Sequence, residues 1–107
     1  MTFYPKLYLR YPFETAEVGG EHVAVAVEEG AEAFHGVIRL ENEPAVFMFE
    51  KLREGITLPD LIYACMKRYD DSPVEEVGPK VLAFLDSLKE QGLIKADMSQ
   101  GVRDERE

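Results

Sequence analysis

The sequence is poor in the residues that build catalytic and metal centres. It holds a single cysteine, Cys65, only two histidines, His22 and His35, and no tryptophan. One cysteine excludes an internal disulfide and suits a reducing compartment. Neither histidine has a second His, Cys or carboxylate at a recognised ligand spacing, so no metal site is expected. Cys65 falls on an apolar helical stripe, where it reads as a small core residue and not as a nucleophile. Ser72 and Ser87 lack the Gly-x-Ser-x-Gly elbow of a serine hydrolase. Gly19-Gly20 is followed by neither Lys-Ser/Thr nor a helix start, which excludes a phosphate-cradling loop.

Positive charge is scarce as well. Twelve Lys+Arg stand against 21 Asp+Glu, a formal net charge of −9. Residues 1–42 carry three basic and seven acidic side chains and residues 43–107 nine and fourteen, so neither half hides a basic domain. A chain without clustered cations is a poor partner for nucleic acid or an anionic membrane. The acids are dispersed, with Glu28-Glu29, Asp70-Asp71 and Glu75-Glu76 at turns or helix starts, where the helix dipole favours them. No apolar run approaches the ~20 residues of a membrane span. The start, Met1-Thr2-Phe3-Tyr4-Pro5-Lys6, has no apolar signal core, and a cytoplasmic location is expected. No repeat of solenoid length is visible.

What the chain does have is enough apolar material for one core. Its 107 residues are 46% hydrophobic, which predicts a single folded domain over residues 1–97, followed by a polar, frayed tail from Met98. The hydrophobic period changes near residue 42. Before it, Tyr8 to Val18, residues 22–28 and Phe34 to Leu40 read as strands, with Gly19-Gly20 as a hairpin turn and residues 29–33 as a loop. In the third run Phe34, Gly36, Ile38 and Leu40 share one face, and His35, Val37 and Arg39 the other.

After it, the spacing is helical. Asn42 caps a first helix whose stripe is Ala45, Met48, Phe49 and Leu52, closed by Gly55. Thr57 caps a second, with the stripe Leu58, Leu61, Ile62, Cys65 and Tyr69. Ser72 with Glu75 forms a third capping signature, ahead of a stripe of Val77, Val81, Phe84, Leu85 and Leu88. Gly92 ends that helix, and Leu93 and Ile94 return onto the core. Gly78-Pro79 lies about two turns in, where proline removes a backbone donor, and a break is expected there. The predicted fold class is α+β: a three-stranded antiparallel meander followed by a three-helix, winged-helix-like bundle.

From about His22 to Ile94 the sequence resembles the PqqD family of peptide-binding proteins. The elements that carry the resemblance are Gly36-Val37-Ile38-Arg39-Leu40 running into Asn42-Glu43, then Phe47-Met48-Phe49-Glu50-Lys51-Leu52. Next come Gly55-Ile56-Thr57-Leu58-Pro59-Asp60-Leu61, Arg68-Tyr69-Asp70, and the run from Val81 to Ile94. No one of them is specific, but their order and spacing are. Glu41 separates Leu40 from Asn42, which members have adjacent, so a bulge or a shifted strand end is expected.

The resemblance implies the fold called the RiPP recognition element and no catalysis or cofactor. It implies binding of the leader of a ribosomally made precursor peptide and its presentation to a modifying enzyme, often of the radical SAM type. The leader would add as a strand beside the third strand, in a groove walled by the third helix. Carried onto this chain, the peptide-binding residues are Phe34, Val37, Ile38, Arg39, Leu40, Val77, Lys80, Val81, Phe84 and Leu88. Arg39 or Lys80 would meet an acidic leader residue. For Phe84 and Leu85 packing in the core competes with ligand contact, since helix stripes face cores. Two other readings use the same pattern: a DNA-binding winged helix, disfavoured by the acidic third helix, and a protein–protein module without a precursor peptide. A free edge strand also permits a homodimer.

Overall fold

A computed structural model describes residues 2–70 and 72–104 of the chain. Asp71 of the expected turn and residues 105–107 of the expected tail lie outside the described residues. Among the described residues the architecture is mixed α+β, with antiparallel strands and four helices. The strands divide between two sheets, which corrects the single meander expected from the sequence. One sheet has the order β2-β3-β4, from β2 (Phe13–Val18), β3 (Glu21–Ala26) and β4 (Val37–Leu40). The other has the order β5-β1-β6, from β1 (Thr2–Leu9), β5 (Ile56–Thr57) and β6 (Ile94–Asp104).

The run read as one strand from Tyr8 to Val18 is therefore two. It bends over residues 10–12, where Pro12 lacks the N–H needed to continue a ladder, and its halves enter different sheets. The frayed tail expected from Met98 also gives way to structure. Gly101 to Asp104 pair with Pro5 to Thr2, after a register shift that leaves residues 98–100 as a bulge in β6. Asp97 organises that bulge by accepting bonds from the Ser99 backbone N–H at 3.0 Å and from the Gln100 amide at 2.9 Å. Gly19 and Gly20, at φ of 58° and 83°, make the tight turn between β2 and β3 as read.

Between β3 and β4, the expected loop at 29–33 contains the short helix α1 (Gly30–Ala33). Phe34 follows at its C-cap and lies outside the strand predicted to contain it, as does His35. The reason is packing: the Phe34 ring meets Phe13 edge-on at 6.0 Å, and Phe13 in turn meets Phe49 at 5.5 Å. The β3–β4 register runs without a shift from Val37 to Leu40, and Glu41 lies past the strand end.

Three longer helices complete the domain: α2 (Glu43–Glu54), α3 (Leu58–Arg68) and α4 (Val74–Glu90). Asn42 Oδ1 accepts the Ala45 N–H at 3.0 Å and Thr57 Oγ1 accepts the Asp60 N–H at 3.3 Å, so both sequence caps operate. Ser72 does not cap α4. Pro73 holds the cap position, and the Ser72 hydroxyl donates back to the Tyr69 carbonyl at 2.6 Å. Nor does α4 break at Pro79. Gly78 has no Cβ to collide with the proline ring, so the residue before proline can stay helical. At the far end Gly92, with φ 73°, brings the Leu93 N–H onto the Leu88 carbonyl at 3.0 Å and buries Leu93 completely. The core is built from Leu40, Phe49, Leu52, Leu61, Val81, Leu85 and Leu88. No described helix is long and apolar enough to cross a membrane.

Candidate functional site

Among the described residues, the order β2-β3-β4 leaves one side of β4 unpaired. Alternation along β4 sends Ile38 and Leu40 into the core and leaves Val37 62% exposed and Arg39 exposed. Beside that edge an open cleft of about 590 Å³ separates β4 from α4. Val37, Ile38 and Arg39 line it from the strand, and Lys80, Phe84 and Leu88 from the helix. Helical spacing explains the second set, because Lys80, Phe84 and Leu88 recur every four residues on one face. Six of the ten residues assigned from the sequence thus meet in a single cleft.

The other four are distributed differently. Leu40 is buried and borders a smaller hollow with His22 and Glu41. Phe34 lies in the aromatic contact with Phe13, away from the cleft lining. Val77 and Val81 line a neighbouring cavity of about 280 Å³ between α2, α3 and α4. Pro44 and Met48 border both cavities, and Ala45 borders the first. Sequence reading placed Ala45 and Met48 on the apolar stripe of the first helix. Their burial agrees with that, but the stripe of α2 also forms the floor of the groove. That double role has no signature in periodicity.

Electrostatics mark two positions. Arg39 is drawn to Glu21 across the sheet, at 3.3 Å, and both side chains are exposed. Lys80 has no ion pair or hydrogen bond among the described residues, although it stands at the junction of the two cavities. On the far wall, Glu43 at the start of α2 receives the Arg68 Nε at 3.0 Å and the Tyr69 hydroxyl, both from the end of α3. The Arg68 hydrogen bonds, and then that of Tyr69, hold the Glu43 carboxyl below its ordinary range. Arg68 also lies over the Phe47 ring at 4.7 Å, and Phe47 meets Tyr69 edge-on at 6.3 Å. This cluster fixes Tyr69 as a wall of the smaller cavity. At that cavity's floor, burial and then the Glu43 charge push the Cys65 thiol pKa up, away from the reactive thiolate.

Among the described residues no three His, Cys, Asp or Glu side chains converge to hold a metal ion. What the arrangement supplies is an unpaired strand edge, an apolar floor and a helical wall.

A family model described as Coenzyme PQQ synthesis protein D (PqqD) matches residues 21–94, from β3 to the first residue of β6. No curated protein and no solved structure matches the chain.

Proposed function

Since the chain belongs to the PqqD family, we propose that it is a non-catalytic adaptor that binds the leader of a ribosomally made precursor peptide and presents it to a modifying enzyme of the radical SAM type. The observation that carries this reading is the free edge of β4 facing the β4–α4 cleft. An extended segment pairs with that edge through its backbone, the mode called β-augmentation. Its side chains alternate. Those beside Ile38 and Leu40 turn into the cleft toward Met48, Phe84 and Leu88, and those beside Val37 and Arg39 turn outward.

The four-residue length of β4 limits the backbone share. Only alternate residues of an edge strand direct both N–H and C=O outward, so the strand offers two such residues. At about 1 kcal/mol net per hydrogen bond, that is too little for tight binding, and the apolar contacts in the cleft supply the remainder. A second copy of the chain would use the same edge, so leader and homodimer compete. The DNA-binding alternative gains nothing from the fold: α4 carries Glu75, Glu76, Asp86 and Glu90 against Lys80 and Lys89.

The test is a titration with the precursor peptide encoded beside this gene, followed by amide hydrogen exchange. Stoichiometric binding that slows exchange in β4 is expected. Binding that leaves the β4 amides unprotected would overturn the assignment.

A further inference from the structure

The cavity beyond Lys80 has no part in strand addition at β4. Its walls are Val77 and Val81 from α4, Tyr69 from the end of α3, and Pro44 and Met48 from α2, over the 3% exposed Cys65. It is contiguous with the β4–α4 cleft, since Pro44, Met48 and Lys80 border both. A peptide lying in the cleft that continues toward the start of α4 therefore crosses its mouth.

We propose that this cavity is a specificity pocket for the same peptide, receiving a second apolar side chain, with an acidic residue placed between the two anchors at Lys80. The proposal rests on the reading that β4 pairs with an extended peptide. The span between the two linings sets the spacing. Val77 lies seven residues from Phe84 and eleven from Leu88 on α4, about 10 and 17 Å along the axis, so two anchors four residues apart on an extended chain, about 13 Å, face the helix together with the residue midway between them. Charge sets what lies between. Lys80 is an unpartnered cation among the described residues, whereas Glu76 borders the inner cavity and Glu41 the outer one. An acid is thus accommodated at Lys80 and disfavoured on either side of it.

The experiment selects a displayed library of random dodecapeptides on the wild-type protein, on Val77→Trp, which fills the inner cavity from its rim, and on Lys80→Glu. Wild-type selection is expected to enrich an acidic residue flanked by two bulky apolar ones. Val77→Trp should lose one apolar preference and bind the best wild-type peptide about tenfold more weakly, with the β4 amides still protected. Lys80→Glu should exchange the acidic preference for a basic one. Lys80 is exposed, so this second variant keeps the test valid if Val77→Trp fails to fold. One shared motif from all three selections, or a motif with a single apolar anchor, would overturn the pocket. Peptides that bind without protecting β4 would instead overturn the strand reading on which it rests.

Discussion

Glu43 shows how one exposed residue acts through its neighbours. It opens α2, and through Arg68 and Tyr69 it ties that helix to the end of α3. Because the folded carboxyl is held below its ordinary value of 4.5, its contribution to stability is fully present above that value. It is lost as the pH falls through the lower, folded value. Other carboxylates titrate over the same range, so the informative quantity is the difference between wild type and Glu43→Gln. At pH 7 that substitution is expected to lower Tm, and the gap between the two melting curves should narrow as the pH falls below 4.5 and through the lower, folded value. A gap that does not narrow on acidification would show that the pair acts through shape and not charge. The same substitution leaves one acceptor oxygen where Arg68 and Tyr69 use two, so it should also loosen the wall of the inner cavity.

At the scale of elements, α4 tests how a helix tolerates proline. The ring at Pro79 removes the bond to the Glu75 carbonyl, yet the helix runs unbroken from Val74 to Glu90. The burial of Val81, Leu85 and Leu88 exceeds that penalty. Pro79→Ala should therefore stabilise the domain, by about 1–3 kcal/mol in chemical denaturation, without changing the cleft. The elements legible in the sequence are those governed by near neighbours. The caps at Asn42 and Thr57, the Gly19-Gly20 turn and the stripes of α2 and α3 all depend on residues within a few positions of one another. Pro79 misled because a local rule was outweighed by the tertiary packing of its helix. Phe34 misled because its alternation fits a strand while its ring is claimed by Phe13, twenty-one residues earlier. The pairing of β1 with β6 joins opposite ends of the chain, and no local pattern carries it. It is also open to test. Truncation after Asp97 keeps the pairs from Lys6–Asp97 to Leu9–Ile94 and removes those of Thr2 to Pro5. The amides of Phe3 and Tyr4 should then exchange freely, while those of β3 and α4 keep their protection.

For the whole molecule, the net charge of −9 decides which forces can hold a partner. Among the cations near the groove, Arg39 is drawn to Glu21, and Lys80 is the free one among the described residues. A partner seated at β4 is therefore held by backbone pairing and by apolar side chains over Met48, Phe84 and Leu88, with one charge contact at most. Such binding responds weakly to salt, because exposed pairs contribute little and screening reaches only ~10 Å at 0.1 M. A recognition helix on DNA behaves otherwise, since each neutralised phosphate adds to the salt slope and six to ten contacts cost about 10³–10⁵ in affinity between 50 and 200 mM salt. The two modes share the same helical scaffold but differ by orders of magnitude in this one measurement. For the leader peptide, titration calorimetry at 50 and 500 mM NaCl should give dissociation constants within about threefold of each other, the size expected from one screened contact. A steep loss of affinity at high salt would place the binding energy in charges that the β4–α4 groove does not have.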